Sequence, residues 1–425
     1  MRTIWEFEVG CNAATVRLLL AAWLLSVPMV APSSLFARQV GPDSDVCAEM
    51  NRLGPGEELV LLPGRYKGPC SIRAGGTAQR PIVIRSADPE RPAVLAYAGR
   101  TANVLDVRAD HVVVRGLAFE SIHPAADGVR IYARNDVVVE DCQFKDLGGI
   151  AVVANHHSAR GIVVRRNIVK QSRATAMYFG CHDGKACVIE ELLIERNYIH
   201  GVTAPDPMIG YGIQVKMNSV ASVRDNVIVD TKGPGIMVYG AWDRNSVSVI
   251  ERNFVQGSRN SGIVIGGGPA RVHNNISIGN AQGGIQLHDY SKRGLLRDIV
   301  VRHNTLLANE KGALMLNGAE KAEGEITFNA VAGPSGKVAL PETRDKLVLK
   351  ENRNCSHVAC FTDPEQLNFS PVESSILLGI QDKTSFPIDD FFGRLRGEKR
   401  AVGAVEPGGA PIHIGIKSVD QPQPR

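Results

Sequence analysis

A two-part motif recurs along most of the chain and limits the folds open to it. The first part is a glycine followed by alternating apolar residues. It is read at Gly128-Val129-Arg130-Ile131-Tyr132, Gly149-Ile150-Ala151-Val152-Val153, Gly212-Ile213-Gln214-Val215-Lys216, Gly235-Ile236-Met237-Val238-Tyr239, Gly262-Ile263-Val264-Ile265-Gly266 and Gly284-Ile285-Gln286-Leu287-His288. Ala176-Met177-Tyr178-Phe179 is a version without the glycine. The alternation is that of a half-buried strand. The second part is an Asn, a variable residue and an apolar residue, at Asn167, Asn197, Asn226, Asn253, Asn274, Asn304 and Asn329, with Leu117 and Cys142 in the same slot earlier. Consecutive members lie 21 to 30 residues apart. A unit of that length, holding short strands and no helical period, predicts an all-β solenoid: a single right-handed parallel β-helix of about ten coils.

The residue types suit that stacking. Inward Ile and Val form continuous columns, and one Asn per coil can pass a side-chain hydrogen bond to the Asn above it. Asn also tolerates a left-handed backbone at the bend. A β-sandwich would not repeat both parts in one order.

The expected boundaries follow. Residues 1–37 read as an export signal: an apolar run from Leu18 to Ala31, Arg17 before it and the small Ala37 as a cleavage point. Residues 45–340 are the β-helix with its N-terminal cap, 341–408 a C-terminal capping region and 409–425 a loose tail. No later stretch is long enough to span a bilayer. Net charge is only +4 and there is no long basic run, so nucleic acid is not expected as a partner. The chain is expected to be periplasmic or secreted, and monomeric. The cysteines agree with export: Cys47 with Cys70, Cys181 with Cys187 and Cys355 with Cys360 form three local disulfide candidates, leaving Cys142 as a buried thiol. Cys181-His182-Asp183 with Cys187 also permits a zinc reading, at a spacing that matches no familiar zinc pattern.

Function in such a fold lies on the outward positions of one strand face. Aligned, the glycine-led strands give an outward column of Arg130, Ala151, Met177, Gln214, Met237, Val264 and Gln286. A second holds Tyr132, Val153, Phe179, Lys216, Tyr239, Gly266 and His288. At about 4.8 Å per coil, Phe179 to His288 spans roughly 20 Å. Past the strands come His182 and Asp183, Asn218, Trp242-Asp243-Arg244 and Tyr290. Aromatics stack on sugars and fixed cations hold carboxylates, so an acidic polysaccharide is the expected partner. β-Elimination from a uronic acid needs a carboxylate clamp, a base and an acid for the leaving oxygen. Lys216 is the candidate base and Tyr239 the acid, with His182 and His288 as rival bases. Arg244, Gln214 and Asn218 are the clamp, and Arg130, Phe179, Trp242, Gln286 and Tyr290 line the groove. Asp183 and Asp243 are the candidates for a hydrolytic carboxylate pair and weak candidates for a metal.

The opening of the chain resembles secreted right-handed β-helix proteins of the polysaccharide lyase and epimerase kind, in its strand, Pro63-Gly64 turn with Tyr66, and Gly75-Gly76-Thr77 loop. Asp389-Asp390-Phe391-Phe392-Gly393-Arg394 and Val402-Gly403-Ala404-Val405-Glu406 resemble a terminal motif of bacterial β-helix proteins, which implies a cover over the last coil. Ile213-Gln214-Val215-Lys216, followed by Val223-Arg224-Asp225-Asn226, resembles the lysine strand and turn of the chondroitinase B and alginate lyase family. That resemblance implies a lysine base, an arginine on the next coil and a Ca2+ ion held by acids shortly before the lysine. Here Met237 or Tyr239 stands where the arginine would, and residues 207–212 carry no acid. The expected function is therefore polysaccharide lyase. The alternatives are a glycoside hydrolase or epimerase of the same fold, though without the Asp-Pro-His-Asp motif of alginate epimerases, or a non-catalytic glycan-binding scaffold.

Overall fold

The computed structural model describes residues 37–415 apart from 242–244, 334–339, 342–345, 356, 382–385 and 398. The expected signal, all but Ala37, lies outside the described residues. Each coil visits three sheets in turn. Sheet I has 13 strands, sheet II 12 and sheet III 10, so the solenoid has about twelve turns, slightly more than expected. Neighbouring strands come from successive coils and run parallel, as between Ile213–Val215 and Ile236–Val238. The glycine-led strands build sheet III. Their inward residues Ile213, Ile236, Ile263 and Ile285, with Val215, Val238, Ile265 and Leu287, are fully buried. Each such burial stabilises by about 1.5–3 kcal/mol.

The Asn ladder occupies the bend from sheet I to sheet II. Asn226 Nδ2 donates to Asn253 Oδ1 (2.9 Å) and to the Ile194 carbonyl of the coil below (3.0 Å), and the Asn226 backbone N–H donates to the same Asn253 oxygen (3.1 Å). The same contacts link Asn197 to Asn226 and Asn304 to Asn329. Two details differ from expectation. The rung after Asn253 is Asn275, not Asn274. The left-handed residue is the one before each rung, as at Arg196 (φ 54), Asp225 (φ 57), Arg252 (φ 51) and Asn274 (φ 55). The rung must point inward to meet its neighbours, so the preceding residue makes the turn. Just before the bend, sheet I stacks charges of alternating sign: Arg115, Glu140, Arg165, Glu195, Arg224 and Glu251 fall in register. Glu140, 1% exposed in its side chain, is held by Arg115 (2.6 Å) and Arg165 (2.7 Å). Opposite charges facing across parallel strands stabilise the stack.

Cys47–Cys70 and Cys181–Cys187 are disulfides, which fits an oxidising compartment. The second removes the zinc reading of that loop. Cys355 and Cys360 are buried free thiols instead of the third bridge. They hydrogen-bond to each other in an apolar cluster with Phe361 and Phe369, and burial raises the Cys355 thiol. Such surroundings disfavour the thiolate that disulfide formation requires. Cys142 is also a buried thiol, pushed up to about 12 by burial. Asp389, Ala401 and Gly403 lie along the side of the coils. Asp389 accepts from Arg252 and Asn274, and the Gly403 N–H donates to the Phe328 carbonyl (2.9 Å). Among the described residues no helix is long and apolar enough to cross a membrane.

Candidate functional site

Strand pairing sets which side chains leave sheet III. Gln214 pairs with Tyr178 on one side and Met237 on the other, and Arg130 pairs with Val153. The outward column is therefore Arg130, Val153, Tyr178, Gln214, Met237, Val264 and Gln286. The strand Met177–Phe179 sits one residue away from the sequence alignment, which turns its side chains over, and Val152–Ala154 sits two residues away, which puts Val153 where Ala151 was expected. Phe179 is fully buried in the core and lines no groove, and Tyr178 takes the outward place. Beyond the strand ends, backbone bonds continue the second column: Gly180, Lys216, Tyr239 and Gly266 each donate to the coil before.

Lys216 is the centre of this face. It is only 2% exposed, yet it lies on the outward side of the sheet. Its Nζ stands 4.0 Å above the Tyr239 ring centroid and 5.7 Å from that of Tyr178. A β-carbon on Gly180 would lie 2.3 Å from Ser219 Oγ and 3.1 Å from Lys216 Cβ, and Gly180 has φ +89, so glycine is what lets the lysine pack down. Burial, then the charge of Arg293, lowers the Lys216 ammonium from 10.5 to about 8. Among the described residues no carboxylate pairs with it to restore the shift.

The wall around the lysine is phenolic. Tyr211 Oη lies 3.4 Å from Tyr239 Oη, and Gln214 Nε2 lies 3.5 Å from the same oxygen. The Tyr290 ring centroid is 5.2 Å from that of Tyr239. Burial pushes Tyr178 and Tyr290 up to about 12 and raises Tyr211 further, with its hydrogen bond to Tyr239 adding to the effect. These hydroxyls stay protonated and can donate.

Tyr290 and Arg293 reach the site from a loop that closes back over the face. The Asp289 carboxylate accepts the Gly294 N–H (3.0 Å) and Leu295 lies over Gly267. A β-carbon on Gly267 would sit 2.8 Å from Leu295 Cβ, and one on Gly268 would sit 2.0 Å from the Arg297 carbonyl, so Gly267-Gly268 is the bed on which this loop rests. Arg293 Nη1 approaches Met217 Sδ at 3.4 Å. Tyr178, Tyr211 and Arg293 are the site residues that sequence reasoning missed. The triple glycine, with Tyr290 and Arg293 shortly after the next strand, is the signal that could have found the loop.

The other expected residues divide. His288 stacks on Tyr290 (3.7 Å between centroids), and burial lowers its imidazole, but it stands three coils from Lys216, about 14 Å along the stack. Gln286 is buried and accepts from Ser261 Oγ (2.8 Å). Asn218 donates to the Gly184 carbonyl (2.9 Å), tying the disulfide loop beside the lysine. Arg130 is held by Asp127 (2.6 Å) and Asn155 (2.9 Å) three coils upstream. His182 is exposed on the disulfide loop. The Asp183 carboxylate accepts from the Lys185 and Ala186 backbone N–H groups (2.9 and 3.2 Å), so it caps its own turn. Trp242, Asp243 and Arg244 lie outside the described residues. Among the described residues no three His, Cys, Asp or Glu side chains converge as metal ligands, so the calcium implied by the resemblance has no such ligand set. A cleft of about 680 Å³ also opens beside Asn218, but its wall is the start of sheet I and its Arg160 is engaged by Glu190 and Glu191.

The family model described as "Right handed beta helix region" matches residues 189–352. The chain has the right-handed β-helix fold. A PL6 family polysaccharide lyase from Pseudopedobacter saltans superposes with a TM-score of 0.55 at 15% identity, covering 86% of this chain and 98% of that one. The PL6 family alginate lyase AlyGC gives 0.51 at 14% identity, over 92% of this chain and 59% of that one. The A-module of a mannuronan C-5 epimerase from Azotobacter vinelandii gives 0.50 at 13% identity, over 70% and 87%. At such identities the likeness concerns the fold. No curated protein matches the sequence.

Proposed function

We propose that this protein is a carbohydrate-active enzyme that cleaves an acidic, uronate-containing polysaccharide by β-elimination. The observation that carries the reading is Lys216: a buried lysine on the outward face, its ammonium lowered to about 8, beside phenols and with no carboxylate pairing it among the described residues. A structural surface lysine has no need of such burial, whereas a base for the proton beside a carboxylate does. Lys216 Nζ takes that proton. Arg293 and Gln214 hold the carboxylate, which offsets the charge developing next to it. Tyr239 gives its proton to the departing glycosidic oxygen. The lyase and epimerase names among the structural neighbours agree with proton abstraction from a uronate.

The test uses the full chain with alginate, polygalacturonate and chondroitin sulfate, following reducing ends and the ultraviolet absorbance of the unsaturated product together. Both signals rising, and both lost in Lys216→Ala, is the expected result. Reducing ends without that absorbance make the protein a hydrolase. Inversion at the carboxylate-bearing carbon without cleavage makes it an epimerase, and binding without any product makes it a scaffold.

A further inference from the structure

The column that carries Lys216 continues upstream through Gly180, Asn155, Tyr132, Arg108 and Arg73. Its far end gathers cationic and aromatic side chains. Arg73 and Arg108 stand on neighbouring coils directly after the paired residues Ile72 and Val107, so two like charges face each other across the strands. Such a pair destabilises the stack unless an acid or a bound anion offsets it. The Arg108 guanidinium stacks on the Tyr132 ring at 4.1 Å, Tyr132 meets His156 edge-on at 5.1 Å, and His156 meets His157 at 4.6 Å. Arg134, two residues beyond Tyr132, is exposed, and its guanidinium has no partner among the described residues. Of these groups, Arg108, Tyr132, Arg134 and His157 line a cleft of about 510 Å³, together with Gly75, Gly76 and Asp110.

Of the two arginines in the cleft, the acids nearby pair only with Arg108. Asp106 pairs with Arg108 (2.7 Å), and Asp110 is occupied by the backbone N–H groups of Arg134 and Asn135 and by the Asn135 amide. Asp106 therefore answers Arg108, and the Arg134 guanidinium is left without an acid among the described residues; the column between this cleft and Lys216 offers only Asn155 and Gly180, short enough for a chain to lie across.

We propose that this cleft is a distal subsite that grips a second carboxylate-bearing sugar of the same polysaccharide chain, about three to four coils, roughly 14–19 Å, from the reacting unit. Arg108 and Arg134 hold the carboxylate, and Tyr132 and the paired imidazoles face the sugar ring. The inference rests on the acidic-glycan reading of the Lys216 site. It adds that the enzyme engages long chains, and that contacts far from the chemistry set how tightly.

The experiment measures binding to Lys216→Ala protein, with and without Arg108→Ala/Arg134→Ala, using size-fractionated oligomers of alginate, polygalacturonate and chondroitin sulfate. Both arginines are exposed, and matched thermal melts check the fold. Losing charge-assisted hydrogen bonds should weaken long oligomers roughly ten- to hundred-fold, leave dimers unchanged, and be partly rescued by Arg108→Lys/Arg134→Lys. Equal affinity with and without the arginines at every length overturns the subsite. If turnover still depends on Lys216 in that case, the proposed activity stands alone. Long-chain binding that needs the arginines, in a protein without turnover, keeps the subsite and removes the lyase. No binding to any of the three polymers overturns both.

Discussion

Replacing Lys216 by methionine should cost activity and raise stability, and both effects should follow one titration. The folded ammonium loses its proton at about 8 rather than 10.5. Below pH 8 folded and unfolded chains are both protonated there, and the fold bears the whole cost of the buried charge. Between 8 and 10.5 the unfolded chain binds the extra proton, so stability rises with pH, and above 10.5 the rise ends. At about 1.4 kcal/mol per pH unit, that interval amounts to about 3 kcal/mol. Methionine keeps the apolar stem and removes the charge. The cation–π contact with Tyr239, which favours the charged form, is lost with it and is already contained in the lowered pKa. Lys216→Met should therefore be more stable than the wild type by about 3 kcal/mol at pH 7, and the advantage should disappear by about pH 10.5. Urea denaturation at pH 7 and at pH 10.5 measures it. Wild-type turnover should climb about tenfold per pH unit below pH 8 and level off above it, as the free amine accumulates. Parallel stability curves for the two proteins across this range would refute the lowered lysine and, with it, the base.

Three further outcomes follow from the geometry. Tyr239→Phe keeps the ring under Lys216 and removes the phenol, so turnover should drop by about 10²–10⁴ with little change in binding; weaker binding with unchanged turnover of bound substrate would make Tyr239 a sugar contact only. Asn226→Ala strands the Ile194 carbonyl and the Asn197 N–H, and should cost about 3 kcal/mol or more, read as a lower denaturation midpoint; an unchanged midpoint would deny the ladder its part in stability. Gly180→Ala forces a β-carbon to 2.3 Å from Ser219 Oγ, whereas Gly279 has a similar left-handed φ with nothing within 4 Å. Gly180→Ala should therefore lower both melting temperature and turnover, Gly279→Ala should lower the melting temperature less, and equal effects would mean that backbone strain alone is at work.

The repeat determined the solenoid because each coil needs the same residue at the same place to meet its neighbour. Gly-Ile-x-Val and the Asn slot carry that periodicity in the primary structure, and so do the local cysteine pairs at 47–70 and 181–187. Lys216 beside Tyr239 was legible for the same reason, since both follow full-length, glycine-led strands whose register the repeat sets. Where the motif degrades, pairing decides. Residues 176–179 lack the glycine, and a slip of one residue exchanged Phe179 for Tyr178 on the outward face. At the two adjacent asparagines, 274 and 275, only the hydrogen bond to Asn253 distinguishes the rung from the turn. The proximity of Cys355 and Cys360 in the chain did not make a bond, because the fold buries both as thiols. The lowered lysine was beyond sequence altogether. It depends on phenols from several coils and on a loop that folds back onto Gly267 and Gly268 to bring Arg293 near, and burial of that kind is a property of packing in three dimensions.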